Sequence, residues 1–207
     1  MGNSRPKAKT MRRFGEVLIA RPKYQRIVDK RPYPPGMHGK EKALRRGRLS
    51  DFGLQLTEKQ KLAFIYNVGE RQMRRYYLKA SRMPGVTGDN LLALLETRLD
   101  NLVYRLGFAN TIWAARQMVS HGHILVNGKK LNVASYQVVP GDMITLHQRM
   151  RSNVQVVEAI ESRGPLPEFV SYEEASFTGT LIRVPNRQEI TIPVTEQLVV
   201  EYYTRKT

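Results

Sequence analysis

The sequence predicts an α+β protein: a basic N-terminal arm and a helical domain, followed by a compact module in which a helix-turn-helix packs on a small antiparallel sheet. Three observations predict it. Charge and apolar pattern change together near Leu49. Apolar residues then recur at helical spacing, most regularly at Leu99, Leu102, Val103 and Leu106, which are positions i, i+3, i+4 and i+7 of one face. Asn127-Gly128, the pair favoured by a type I′ turn, separates two short strand-like runs. The expected divisions are 1-48 for the arm, 49-96 for the helical domain, 97-160 for the module and 161-207 for a mixed C-terminal segment.

The arm is set apart by charge. The 207 residues hold 34 Lys and Arg against 18 Asp and Glu, a net charge of +16. Residues 1-50 carry 15 of the bases and 3 of the acids, whereas residues 151-207 carry 6 bases and 8 acids. Self-repulsion on this scale calls for a polyanionic partner, nucleic acid or an anionic membrane. The membrane fits poorly, because no run approaches the ~18 apolar residues of a spanning helix and no signal-peptide core follows the basic start. A cytoplasmic protein is expected. With no cysteine, disulfides, thiolate nucleophiles and cysteine-based zinc sites are excluded. The arm itself, with Arg12-Arg13, Lys30-Arg31, Pro32-Tyr33-Pro34-Pro35-Gly36 and Arg45-Arg46-Gly47-Arg48, shows little sustained apolar periodicity. It is expected to thread into folded RNA, with Arg on phosphates and Tyr24, Tyr33 and His38 as stacking faces, and to be poorly ordered alone. The plainer reading is a solubilising tail, which would not require the Tyr, His and Pro residues.

From Leu49 onward the elements follow in order. Thr57-Glu58-Lys59-Gln60 has capping-box spacing and predicts a helix to about Asn67. After Gly69, the run from Glu70 to Lys79 predicts an amphipathic helix with Met73, Tyr76 and Tyr77 on one face and Arg71, Arg74, Arg75 and Lys79 over the rest. A charged helix side is often only solvated, so RNA contact here stands evenly beside that reading. Thr87 is expected to cap a helix from Asp89 to about Thr97, and a further helix runs from about Arg98 to Leu106 and stops at Gly107. Thr111 caps the next, to about His121. Gly122 ends it, the hairpin Ile124 to Leu131 follows, and Met143-Ile144-Thr145-Leu146 reads as a third strand. Strand-like pieces are expected at Val154-Val157, Thr180-Val184 and a Pro-interrupted Ile190-Val194. A last helix, Thr195-Tyr203, is expected to return to the first helical unit.

The helix from Thr111 carries the functional reading. Ala115, Met118 and Val119 fall inward, leaving Trp113, Arg116, Gln117 and Ser120 outward. A planar cation, an amide and a hydroxyl on one face suit phosphate, 2′-hydroxyl and base recognition. His121, His123, Asn127, Lys129 and Lys130 would extend that surface across the hairpin. The candidate RNA contacts are these together with Arg12, Arg13, Arg45, Arg46, Arg48, Lys59, Lys61, Arg71, Arg74, Arg75, Tyr76 and Lys79. A protein-binding patch with ordinary polar caps is the alternative. His121-Gly122-His123 has no Cys or carboxylate cluster to complete a metal site, so neither metal nor cofactor is expected.

The run Leu99-Asp100-Asn101-Leu102-Val103-Tyr104-Arg105-Leu106-Gly107-Phe108-Ala109, followed by Ala115-Arg116-Gln117-Met118-Val119-Ser120-His121-Gly122-His123-Ile124-Leu125-Val126-Asn127-Gly128, resembles the RNA-binding module of the bacterial ribosomal protein S-four family. Pseudouridine synthases and tyrosyl-tRNA synthetases share such a module. The flanking runs narrow the resemblance: Pro34-Pro35-Gly36-Met37-His38-Gly39, Leu49-Ser50-Asp51-Phe52-Gly53-Leu54-Gln55-Leu56, Thr87-Gly88-Asp89-Asn90-Leu91-Leu92, Pro140-Gly141-Asp142 and Val200-Glu201-Tyr202-Tyr203 are similar to the family in the same order. The resemblance implies a primary binder of small-subunit ribosomal RNA that grips a five-helix junction in the 5′ domain and nucleates assembly. It also implies a place beside proteins S-three and S-five near the messenger RNA entry channel, and an influence on decoding accuracy. Two departures stand out. Many relatives carry four zinc-binding cysteines in the arm, so this chain resembles the cysteine-free branch, where extra RNA contacts would order the arm. Where the family usually has Arg and a small residue, this chain has Ile112 and Trp113, and packing is the favoured role for the indole.

The rival class is an RNA-modifying enzyme, or a stalled-ribosome factor, that uses the module as a tether. Against an enzyme, the chain shows no Gly-rich phosphate loop, no HxGH-like signature and no paired buried acids in its C-terminal part.

Overall fold

Ser50, rather than Thr57, starts the longest helix. In the computed structural model, which describes residues 6–19, 21–44 and 49–206 and only the backbone of Lys42, the Ser50 hydroxyl accepts from the Gly53 amide at 3.2 Å. This cap opens α4, Asp51–Ile65. Thr57 lies well inside that helix, and its hydroxyl donates to the Gly53 carbonyl at 2.7 Å. The capping-box spacing is a decoy. The helix continues upstream of it because Gln55 is buried and its Nε2 donates to Glu201 at 2.9 Å, while Phe52 packs on Tyr202 with ring centroids 5.8 Å apart. Glu201 and Tyr202 belong to the last helix, Glu196–Thr204, which packs along α4.

The described part of the arm is helical, although its sequence shows little sustained apolar periodicity. Helices α1 (Lys7–Phe14), α2 (Pro22–Lys30) and α3 (Gly39–Leu44) form there. Met11, Ile19 and Val28 are buried there, and Gly15 ends α1 at φ +77°. Together with α4 and the last helix, the arm falls in one compact unit, Met1–Arg74 with Pro193–Thr207.

Helix α5, Glu70–Ala80, runs from that unit into the second, Arg75–Ile192. Next comes α6, Thr87–Glu96, with Val86 at its N-cap, so Thr87 is the first helical residue and not the cap. Helices α7 (Leu99–Arg105) and α8 (Ile112–Ser120) pack against each other. Strands β1 (Ile124–Val126), β2 (Lys129–Lys130) and β3 (Met143–Leu146) follow, then α9 (Val154–Glu161), β4 (Val170–Glu173), β5 (Thr178–Leu181) and α10, the last helix already described. Among the described residues the sheet is five-stranded and antiparallel, in the order β2-β1-β3-β5-β4.

Three strand expectations need correction. Val154-Val157 opens α9, because the Asn153 side chain caps it by accepting from the Gln155 amide at 2.9 Å. Its β-branched residues look like a strand, but burial follows the helical spacing of Val156 and Ala159, with Val154 and Val157 exposed. The strand expected at Thr180-Val184 lies earlier, at β5, and pairs with β4, which the sequence did not announce. Ile190-Val194 forms no strand.

Leu99, Leu102 and Val103 of α7 and Leu106 at its C-cap are fully buried with Ala115, Val119, Ile124, Leu146 and Leu181. Gly179 makes this packing possible. It pairs with Ile144 and Tyr172 in mid-sheet, and a Cβ on it would collide with the Leu106 side chain. Beneath α7, the Arg98 guanidinium donates to both Asp100 oxygens, at 2.9 and 2.6 Å, and to the Tyr76 hydroxyl at 2.7 Å. Burial opposes the charge on Arg98, but the attraction and hydrogen bonds of Asp100 outweigh it and raise the guanidinium's pKa.

Candidate nucleic-acid interface

The surface is built on α8. Thr111 accepts from the Ala114 amide at 3.2 Å and fixes the first turn, and Ala115, Met118 and Val119 are buried as their spacing requires. Gln117 and Ser120 are exposed, and Arg116 and Trp113 are half-buried beside them. Ile112 is buried, so the departure from the family's usual cation adds to the interior.

Gly122, at φ +70°, turns the chain from α8 into β1. Lys130 lies across it, so closely that a Cβ on Gly122 would collide with the lysine side chain. This brings Lys130 beside the two histidines. His121 is exposed, His123 is half-buried, and their rings meet edge to face at 6.0 Å. Burial, then the nearby charges of His121, His147 and Lys130, hold the His123 imidazole below its ordinary pKa. Residues His147 and Arg149, absent from the sequence expectations, extend the same edge. The His147 amide donates to the His123 carbonyl at 2.9 Å, and the exposed Arg149 follows in the turn after β3. The polar run His147-Gln148-Arg149-Met150-Arg151 was the available signal. Among the described residues, no group of three or more His, Asp or Glu is placed to hold a metal ion.

In the hairpin, Lys129 and Lys130 are exposed and pair with Val126 and Leu125. No carboxylate partners them among the described residues. Asn127 and Gly128 sit at φ +50° and +77°, as a type I′ turn demands. Asn127, expected to touch RNA, has both ends of its amide bonded to Asp142 and Met143. Its Nδ2 donates to Asp142 at 2.7 Å, and its Oδ1 accepts from the Met143 amide at 2.9 Å.

On α5, Arg71, Arg74, Arg75 and Lys79 are exposed as the helical spacing predicts. Tyr76 is not. It is 4% exposed, with its hydroxyl on Arg98, because it lies on the same face as Met73 and Tyr77. Lys59 and Lys61 also leave the candidate set. Each is 6% exposed. Lys59 pairs with Glu70, and Lys61 pairs with Glu58 and Glu16 and donates to the Pro193 carbonyl. Arg12 is drawn inward too: its Nε reaches the Arg31 and Tyr33 carbonyls at 3.1 Å, its Nη2 reaches Pro34, and its guanidinium lies 4.9 Å from the centre of the Tyr33 ring. Arg13 is exposed, and Arg45, Arg46 and Arg48 lie outside the described residues. No described helix is long and apolar enough to cross a membrane.

Two known families match this chain. Residues 3–96 match the ribosomal protein S4/S9 N-terminal domain, and residues 97–144 match the S4 domain. The chain is 46% identical to the small ribosomal subunit protein uS4 of Brevibacillus brevis and 48% identical to that of Akkermansia muciniphila, over 97% of both chains in each case. It is 49% identical to the uS4 protein of Natranaerobius thermophilus, over 86% of this chain and 85% of the relative. The helical N-terminal region, the α7–α8 pair on its sheet and these near full-length matches agree, and the chain belongs to the uS4 family of small ribosomal subunit proteins.

Proposed function

We propose that the chain is a structural, non-enzymatic constituent of the small ribosomal subunit that binds ribosomal RNA directly and nucleates subunit assembly. The observation that carries this reading is the edge formed by α8, the hairpin and the turn after β3. There Gln117, Ser120, His121, Lys129, Lys130 and Arg149 stand exposed on a fully packed core, and the lysines face no carboxylate among the described residues. Unpaired cations beside amide and hydroxyl donors match a phosphate and 2′-hydroxyl surface. Arg116 and His123 line it, and Arg13, Arg71, Arg74, Arg75 and Lys79 supply further phosphate contacts.

The finer assignment follows the family. The RNA is the 5′ domain of the small-subunit ribosomal RNA, at a five-helix junction; the neighbours are proteins S-three and S-five; the messenger RNA entry channel is close by, with an effect on decoding accuracy; and the compartment is the cytoplasm. An RNA-modifying enzyme or stalled-ribosome factor is not favoured, since relatives matching 97% of the chain carry the ribosomal name. Sedimentation of tagged chain with small ribosomal subunits tests the assignment. One chain per subunit, retained through a high-salt wash, is expected; chain left at the top of the gradient would overturn it.

A further inference from the structure

The Asn127-Gly128 turn is a covalent weak point as well as a hairpin tip. Glycine lacks a side chain to shield its own amide, so the Gly128 nitrogen can attack the Asn127 side-chain carbonyl carbon. In that step a C–N bond forms to Cγ, the Cγ–Nδ2 bond breaks, and the side-chain nitrogen leaves as ammonia, taking up the proton lost from the Gly128 amide. The five-membered imide that results is opened by water at either carbonyl, giving aspartate or an isoaspartyl link that runs through the side chain. Asparagine and water become aspartate and ammonia, with no oxidant or reductant required.

We propose that Asn127 is a deamidation site held closed by Asp142, and that opening this clamp converts the hairpin to a form that grips RNA poorly. The second half rests on the RNA reading above. The Asn127 Nδ2 donates to Asp142 at 2.7 Å, its Oδ1 accepts from the Met143 amide at 2.9 Å, and its backbone amide donates to the Met143 carbonyl at 2.9 Å. These bonds hold the side chain toward Asp142 and Met143, and breaking them frees Cγ to approach the Gly128 nitrogen. Asp142 is a firm anchor. It is 7% exposed, and its other oxygen accepts from the Val139 amide at 3.0 Å.

After conversion, a carboxylate replaces the amide donor opposite the Asp142 carboxylate, and two like charges face each other at hydrogen-bond range. The isoaspartyl product also adds a backbone carbon to a two-residue turn, which upsets the pairing of Val126 with Lys129 and of Leu125 with Lys130. Either product displaces the two lysines and adds negative charge beside them.

Peptide mapping by mass spectrometry of the full chain, aged at mildly alkaline pH, tests the clamp. In the folded wild type, conversion at residue 127 is expected to be at least about tenfold slower than in the same chain held in denaturant, because only locally opened molecules react. Asp142→Ala should lose most of that protection, and Asp142→Asn, which keeps an oxygen acceptor, should lose part of it, with circular dichroism identifying folded samples. Equal rates in folded and denatured wild type, or full protection in folded Asp142→Ala, would overturn the clamp. Asn127→Asp should bind 5′-domain RNA at least about tenfold more weakly than wild type, the scale of a lost charge contact. Wild-type affinity in that variant would overturn the second half alone, whereas a wild type that binds no RNA would instead strike the reading it rests on.

Discussion

Lys59 and Lys61 on α4 and Lys129 and Lys130 on β2 are the same cation in the same chain, yet they end in opposite states. The α4 pair is buried, facing Glu70 in one case and Glu58 and Glu16 in the other. Burial opposes the charge on Lys61, but its hydrogen bonds to Glu58 and Glu16 outweigh that and raise its pKa, so it stays an ammonium. The β2 pair is exposed and meets no carboxylate among the described residues. The net charge of +16 is therefore not a uniform coat. Among the described residues, acids hold Lys59, Lys61 and Arg98 within the fold, whereas Lys129 and Lys130 on the hairpin face none. A cation's partner, rather than the local density of bases, separates a structural residue from one available to phosphate.

The largest test of that distinction removes an anion instead of a cation. Arg98 is the extreme case of a cation committed to the fold, 1% exposed against Asp100 at 0%. Asp100→Ala leaves it uncompensated, and urea titration is expected to show a loss of about 3–5 kcal/mol. A loss under about 1 kcal/mol would mean that Arg98 finds another acceptor and that the pairing is not what fixes α7.

Arg12 sharpens the comparison within the arm. A lysine at this position keeps the charge but cannot span the Arg31, Tyr33 and Pro34 carbonyls as a planar fork does. Arg12→Lys should cost about 1 kcal/mol and increase limited proteolysis between α1 and α3. Unchanged cleavage would return Arg12 to the set of free phosphate contacts.

The smallest effect is that of pH on His123. Its folded pKa lies below the ordinary value of about 6.5, so the unfolded chain takes up the proton first as pH falls. The stability contribution of neutral His123 is present above about pH 6.5 and is lost as pH falls through the folded pKa. RNA phosphate favours the charged imidazole, so affinity is expected to move the other way and to rise about threefold between pH 7.5 and 5.5 at constant ionic strength. His123→Asn should flatten that rise; a wild-type slope in the variant would show that His123 is not the group responsible.

Much of the fold around α7, α8 and the hairpin was legible because its signals are local. The spacing of Leu99, Leu102, Val103 and Leu106, the Thr111 cap and the Asn127-Gly128 turn each act within a few residues, and the structure holds all of them where the pattern put them. What the sequence hid is tertiary. Lys61 meets Glu16 from 45 residues away, and Asn127 meets Asp142 from 15 away, so both read as free polar groups. Val154-Val157 looks like a strand by its β-branched composition, whereas the helix is set by the Asn153 cap. Thr57 read as a helix start because nothing local announces that α10 returns to bury Gln55 upstream of it. Gly179 gives no signal at all until α7 is laid against it.

The most direct test sets Lys61→Ala beside Lys129→Ala and measures two quantities in each: stability by urea titration and affinity for refolded 5′-domain RNA across a salt series. Lys61→Ala should lose about 1–3 kcal/mol of stability while keeping the wild-type affinity and salt slope. Lys129→Ala should keep its stability, bind about 5- to 30-fold more weakly and lower the salt slope by about one. The account predicts this crossed pattern. If both variants lose affinity together, or if Lys129→Ala binds RNA as the wild type does, the division between fold-holding and RNA-facing cations is wrong.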